Sequence, residues 1–448
     1  MLHYKHSFVT ARLGITGRSA DAIARSVEQA LADGQLTGQS ALPPVRTLAE
    51  TLGVSPTTVA AAYRMLRQRG LVVGNGRRGT RIARREPTSL RLPIAVPDGA
   101  VNLADGNPDP DLLPDLDPVL RTIPFPRELY GESCVIPDLA AAGRRLLVAD
   151  GIEAGALSVV SGAMDGIERV LATQLRQGDK VAVEDPAFAG VLDLLGALAL
   201  VPVPFAIDEE GPDPDSLARV LAGGVKAVIV TPRAQNPTGA AVSSSRAADL
   251  RRLLDKHPSV LLVEDDHAAG VAGAPLASLG PGKRPRHAYL RSMAKALGPD
   301  VRVALLAGSP DIVARVEARQ IVGMRWVSRL LQRLVVAALA DRTVLESVAR
   351  AEGEYTRRRR ALIEALAAEG LEATGTSGLN VWLPVREEGA TLQGLAIAGW
   401  FVAPGERFRV RSGPGVRVTV SRLAVADASR FAEAAASVLR PGRGTAST

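Results

Sequence analysis

The sequence predicts a multidomain protein. A small N-terminal helix-turn-helix closed by a hairpin wing comes first, then a large α/β domain with a mixed, mainly parallel sheet and a small C-terminal α+β subdomain. Three observations predict this. Charge is uneven along the 448 residues: positions 1–86 hold 13 Lys and Arg against 5 Asp and Glu, and the remaining 362 hold 41 against 42. A basic module ahead of a near-neutral one is the footprint of a polyanion-binding domain joined to something else. Residues 86–100 (EPTSLRLPIAVPDGA) carry three prolines and little periodicity, as a linker does. From about residue 101, short apolar runs alternate with amphipathic helices, the pattern of an α/β sheet.

Composition closes off other classes. With 46% hydrophobic and 23% charged residues the chain buries a large core and is neither disordered nor fibrous. A single cysteine, Cys134, excludes an internal disulfide, and five scattered histidines argue against a metal centre. No apolar run reaches membrane-spanning length, and the start MLHYKHSFVT has no signal-peptide core. The expectation is a cytoplasmic protein without membrane contact or metal.

Taking the elements in order, residues 20–33 place Ile23, Val27, Ala30 and Leu31 on one helical face, and Gly34 ends that helix. TLAETLGV repeats Leu48, Ala49 and Leu52 at helical spacing before Gly53 forces a turn. In SPTTVAAAYRMLRQRG, Ser55 is a good N-cap and Pro56 sits where its missing N–H is harmless. Val59, Ala62, Tyr63, Leu66 and Leu71 make the buried stripe, while Arg64, Arg67 and Arg69 face outward. LVVGNGRRGTRIA then reads as a hairpin whose tip, with Arg77 and Arg78, suits a phosphate backbone. The domains are predicted as 18–85, a linker at 86–100, and 101–440. In the last, strands are expected at ALSVVSG, DKVAVEDP, VKAVIVTP, SVLLVEDD, HAYLRS and VALLAGS, with helices from Asp165 and Phe188. The final subdomain, from about 355, should take its strands from GLNVWLPV, RFRVRSG and GVRVTVSRL.

Lysine is the most informative residue type in this half. There are six against 48 arginines, so a generic cation is arginine here and each lysine stands out. An amine can form a Schiff base with an aldehyde; a guanidinium cannot. Lys295 follows the strand HAYLRS and precedes Arg302 by seven residues. Asn236, in TPRAQNPTGA, projects from a strand's carboxyl end, where ligands bind in open α/β sheets. Asp265 also ends an apolar strand, and a carboxylate there could hold a pyridinium nitrogen protonated. In VVSGAMDG the amides of Gly162, Ala163 and Met164 can cradle a phosphate at a helix start. Phe188 is placed to stack on an aromatic ring, although core packing is its ordinary explanation.

Two resemblances follow. LPPVRTLAETLGVSPTTVAAAYRMLRQRGLVVGNGRRGT resembles the winged helix-turn-helix of GntR-type transcription regulators, with Pro56 where that family often has a basic residue. The resemblance implies DNA contacts by Arg46, by Ser55, Thr57 and Thr58 at the recognition-helix start, and by the wing at Gly76 and Arg77; outward Arg64 and Arg78 join that basic face. The order of glycine turn, aromatic, NPTG, strand-end Asp, S-x-x-K and Arg302 resembles fold-type-I pyridoxal-phosphate (PLP) enzymes of the aminotransferase class I/II group. That implies Lys295 as the internal aldimine, Asp265 on the ring nitrogen and Asn236 on the ring hydroxyl. Arg302, Ser292 and the Gly162 turn would hold the phosphate, Phe188 would stack on the ring, and Arg417 would bind an effector carboxylate. Tyr130, in LYGES, is similar to the tyrosine that reaches the phosphate of a partner subunit, which implies a homodimer. His267 stands where relatives commonly have a tyrosine near the ring hydroxyl.

The two halves together resemble the MocR subfamily of bacterial regulators. The implied function is a PLP-dependent transcription regulator that binds a double-stranded DNA operator and senses an amino compound, or PLP itself. A catalytically active aminotransferase carrying a DNA-binding module, and a regulator whose second half only dimerises, remain alternatives at this point.

Overall fold

The computed structural model describes residues 15–440 except 34, 37–39, 69–70, 75–79, 83–95, 97–98, 154 and 281–283. The chain divides into two compact units, with the main boundary at Arg91/Leu92.

Among the described residues the N-terminal unit contains three helices, Ala20–Ala32, Val45–Leu52 and Pro56–Gln68, and a hairpin of β1 (Val72–Gly74) and β2 (Thr80–Ile82). Ser19 caps the first helix on the Ala22 N–H. Gly53 ends the second at φ 65°, a left-handed position that glycine reaches without strain. Ser55 caps the third, accepting from the Thr58 N–H at 3.2 Å. Ile23, Val27, Leu48, Val59, Ala62, Tyr63 and Leu66 meet Val72 and Ile82 in one core, with the Tyr63 hydroxyl on the Pro43 carbonyl at 2.8 Å. Leu31, Leu52 and Leu71, expected in that core, are only partly buried. Gly34 and the hairpin tip lie outside the described residues, as does most of the 86–100 linker.

The second unit contains β3 (Val101–Leu103), then β4 (Ala156–Val160), β5 (Lys180–Asp185), β6 (Val201–Asp208), β7 (Gly211–Pro212), β8 (Ala227–Val230), β9 (Leu261–Asp266), β10 (His287–Ser292) and β11 (Ala304–Gly308). The order in the main sheet is β4-β11-β10-β9-β8-β5-β6-β7. The pairs β5/β8, β8/β9 and β9/β10 are parallel, while β11 runs antiparallel to both neighbours. The central parallel strands are buried on both faces, β8 (AVIV) throughout and β5 beyond its first residue, which is why they read as near-continuous apolar runs.

A second sheet, β12 (Asn380–Pro384), β14 (Gly415–Thr419), β13 (Trp400–Pro404) and β3, forms the smaller subdomain. Two expectations are corrected here. RFRVRSG is not a strand: the Asp185 carboxylate captures the N–H groups of Val410, Arg411 and Ser412, the donors a strand would have paired. The third C-terminal strand is instead Trp400–Pro404. The subdomain also borrows β3, paired in parallel with β13 and about 300 residues distant in sequence, and its helix Arg342–Ala368 begins well before residue 355.

Candidate functional site

The residues singled out from the sequence converge because parallel strands present their carboxyl ends on one edge. β4, β5, β8, β9 and β10 end there, and the loops that follow carry Gly162 to Met164, Phe188, Asn236, His267 and Lys295. β11 runs the opposite way, so Arg302, just before its start, arrives at the same edge. A cavity of about 310 Å³ is lined by Ala163, Met164, Phe188, Asn236, Asp265, His267, Ser292, Lys295, Arg302 and Arg417. Asp105, Gly106, Asn107 and Ala294 line it too. The Asp105–Asn107 segment was not anticipated; its turn signal, DGNP after a short apolar run, was present, but its placement depends on the distant β3/β13 pairing.

Three carboxylates occur in succession at the end of β9, and strand alternation separates their roles. Glu264 accepts from His287 Nε2 at 2.7 Å, Ser278 Oγ at 2.8 Å and the Leu279 N–H at 2.8 Å. Asp266, on the same face, takes Arg233 bidentately at 3.0 and 2.8 Å and the Tyr289 hydroxyl at 2.5 Å. Asp265 faces the cavity, and its buried Oδ1 has no hydrogen-bond partner among the described residues. Burial, reinforced by the negative charges of Asp266 and Glu184, pushes its carboxyl up to about 7. An orphaned buried carboxylate is costly unless a cation meets it.

Lys295 Nζ donates to the Gly106 carbonyl at 2.5 Å. Burial, then the Arg417 charge, lower its ammonium to about 8, against the pull of Asp105, so that the free amine is within reach near neutral pH. Arg417, on β14, donates to the Ala104 carbonyl and to Asn236 Oδ1 at 3.1 Å, and its guanidinium stands 4.9 Å from the Phe408 ring centre. With Asn236 Oδ1 engaged, that amide's N–H₂ remains as a donor. Burial lowers Arg417 to about 10, where it stays cationic at neutral pH.

At the helix Ala163–Gln174, Gly162 is the N-cap at φ 89° and gives its N–H to the Val160 carbonyl. The expected three-amide cradle is therefore reduced to Ala163 and Met164, whose N–H groups begin the helix without intrahelical partners. Gly162 contributes by its lack of a side chain: a Cβ there would stand 2.6 Å from Arg302 Nη2. Ser292 is buried at the end of β10, accepting from the Ala294 N–H at 3.3 Å.

Tyr130 is not brought into this cavity. It is 78% exposed, its ring tilted 57° to that of Trp326 at 5.5 Å between centroids with Arg325 over it, and nearby in sequence Phe125 and Leu129 are exposed too. In the N-terminal unit, Arg46, Ser55, Thr57 and Arg64 are exposed and Thr58 is half-buried; the Ser55 hydroxyl bonds Thr57 Oγ1 at 2.7 Å and Thr58 Oγ1 at 2.8 Å. Gly76, Arg77 and Arg78 lie outside the described residues. Among the described residues no cluster could hold a metal ion and no helix is long and apolar enough to cross a membrane.

Two families match. Residues 19–82 match the bacterial regulatory proteins of the gntR family and residues 126–434 match aminotransferase class I and II. The chain belongs to the MocR subfamily of GntR-type regulators. It is similar to the vitamin B6 salvage pathway transcriptional repressor PtsJ of Salmonella typhimurium, 39% identical over 91% of this chain and 96% of that one. It is also similar to the probable rhizopine catabolism regulatory protein MocR of Rhizobium meliloti, at 26% identity over 69% and 68%. The fold of its second unit is that of Pyrococcus horikoshii kynurenine aminotransferase, solved in complex with PMP, with a TM-score of 0.70 at 21% identity, covering 77% of this chain and 91% of that one. As a MocR-type protein it pairs a DNA-binding helix-turn-helix domain with an aminotransferase-like domain, and the cavity lies within the latter.

Proposed function

We propose that this regulator binds PLP through Lys295 and changes its affinity for operator DNA when an amino compound, or PLP itself, occupies the cavity. The observation that carries the reading is Asp265, a buried carboxylate with an orphaned oxygen in the same cavity as a lysine whose ammonium is weakened. The cation it calls for is a protonated ring nitrogen. Asn236 would donate to the ring oxygen and Phe188 would lie against the ring. Ser292, Arg302 and the Ala163 and Met164 amides would hold the phosphate. When bound, PLP supplies an electrophilic carbon and an electron sink. Arg417 would orient an effector carboxylate, its guanidinium exchanging the Ala104 carbonyl and Asn236 for the ligand.

Regulation requires the ligand to favour one global state over the other, so the coupling is the ratio of its affinities for the DNA-bound and free forms. Exposed Phe125, Leu129 and Tyr130 support a homodimer in which Tyr130 serves the partner's cavity. Titration of the purified protein with PLP tests the reading. Once unbound PLP is removed, a protein-bound absorbance band in the near ultraviolet or the visible is expected with the unaltered protein and none with Lys295→Ala, together with a PLP-dependent shift in operator affinity that Lys295→Ala removes. A protein-bound band that persists in Lys295→Ala after unbound PLP is removed refutes it.

A further inference from the structure

His267 borders the cavity two residues after Asp265, and its hydrogen bonding fixes what it can offer there. Its Nε2 lies 2.9 Å from the Ala234 carbonyl oxygen. A carbonyl only accepts, so the proton is on Nε2. That partner is itself pinned: Ala234 is buried and donates its own N–H to Ser377 Oγ at 3.0 Å. Burial first, then the Lys295 charge, lower the imidazolium to about 4, with the Ala234 bond and Asp266 opposing. The ring is therefore neutral, its single N–H is spent on the backbone, and Nδ1 carries a lone pair. A tyrosine at this place would offer a hydroxyl proton; His267 has none left. Asn236, held by Arg417 on its Oδ1, keeps its N–H₂ as a donor that can meet a ring oxygen.

We infer that His267 withholds a hydrogen bond from the oxygen on the PLP ring, so that the proton shared between that oxygen and the Lys295 linkage rests on the oxygen. This rests on the PLP reading above. The oxygen is held as a neutral phenol, since an anionic oxygen is stabilised in proportion to the donors around it. No proton is gained or lost overall; it changes place. The phenol form withdraws electrons less strongly, which suits a site that holds its ligand and reports it more than one that turns it over.

The experiment is the absorbance spectrum of the PLP-loaded full-length protein, with His267→Tyr and His267→Phe alongside. Circular dichroism and operator binding check that each variant is folded. The phenol form absorbs in the near ultraviolet and the phenolate form in the visible. The unaltered protein is expected to show mainly the shorter-wavelength band. His267→Tyr, which restores a donor, should raise the visible-to-ultraviolet ratio by about tenfold. His267→Phe, similar in size but with no donor, should keep the ultraviolet band. A predominantly visible band in the unaltered protein, or equal spectra for the Tyr and Phe variants, overturns the inference while leaving PLP binding intact. Absence of any Lys295-dependent band overturns the PLP reading and this inference with it.

Discussion

Replacing Asp265 by asparagine should stabilise the cofactor-free protein and abolish tight PLP binding. In the folded chain this carboxyl titrates at about 7 against an ordinary 3.8, because it is buried beside Asp266 and Glu184 with its Oδ1 unpartnered. At about 1.4 kcal/mol per tenfold in the proton equilibrium, its ionisation opposes folding by roughly 4 kcal/mol at pH 8. The sign follows from the native state holding the proton more tightly than the unfolded chain. The stabilisation from this tighter-held proton is fully present below pH 4 and is lost as pH rises toward 7, where the penalty of ionisation replaces it. At pH 5.5 roughly half of it is gone, so the stability gap between Asp265→Asn and the unaltered protein should widen by roughly 2 kcal/mol between pH 5.5 and pH 8. Urea unfolding of both cofactor-free proteins at the two pH values measures the gap. Adding PLP should close it from the side of the unaltered protein alone, where a ring cation can meet the carboxylate. A variant no more stable than its parent at pH 8, or a gap that does not change with pH, would refute the reasoning.

Gly162→Ala places a methyl 2.6 Å from Arg302 Nη2 at a backbone φ of 89°. With about 1–3 kcal/mol of strain and a displaced guanidinium, PLP should bind at least about tenfold more weakly in an absorbance titration. On the DNA side, Arg77→Ala and Arg78→Ala should weaken binding to all sequences and flatten its salt dependence, whereas Thr57→Ala and Thr58→Ala should relax sequence preference. Gel-shift titrations on operator and random duplexes separate the two, and equal effects of both pairs would contradict the roles assigned. Phe125→Asp with Leu129→Asp, both residues being more than three-quarters exposed and close to Tyr130 in sequence, should shift the protein toward monomer in sedimentation. An unchanged oligomer would exclude that patch as the subunit contact.

Much of the site was legible because its residues sit at predictable places. Asn236 and Lys295 follow an apolar strand and Asp265 ends one, and a parallel sheet sends strand ends to one edge whatever the detailed packing. The helix starts at Ser19 and Ser55 were legible for a similar local reason, a hydroxyl within reach of its own helix's first N–H groups. The misreading of RFRVRSG was also physical. Alternating Arg and apolar residues satisfy the strand pattern, and nothing in that stretch reveals that Asp185, more than 220 residues earlier, accepts from its N–H groups.

The sequence by itself determined the two-part architecture, the confinement of excess positive charge to residues 1–86, and the lysine, asparagine and carboxylate that meet in one cavity. These depend on local periodicity, composition and strand ends. Only the tertiary structure decided which carboxylate of Glu264, Asp265 and Asp266 is left unpaired, that Asp105 to Asn107 close the cavity, and that His267 has spent its proton on Ala234. Each of those depends on a partner distant in sequence, and a hydrogen bond's owner is known only once the chain has brought both groups together.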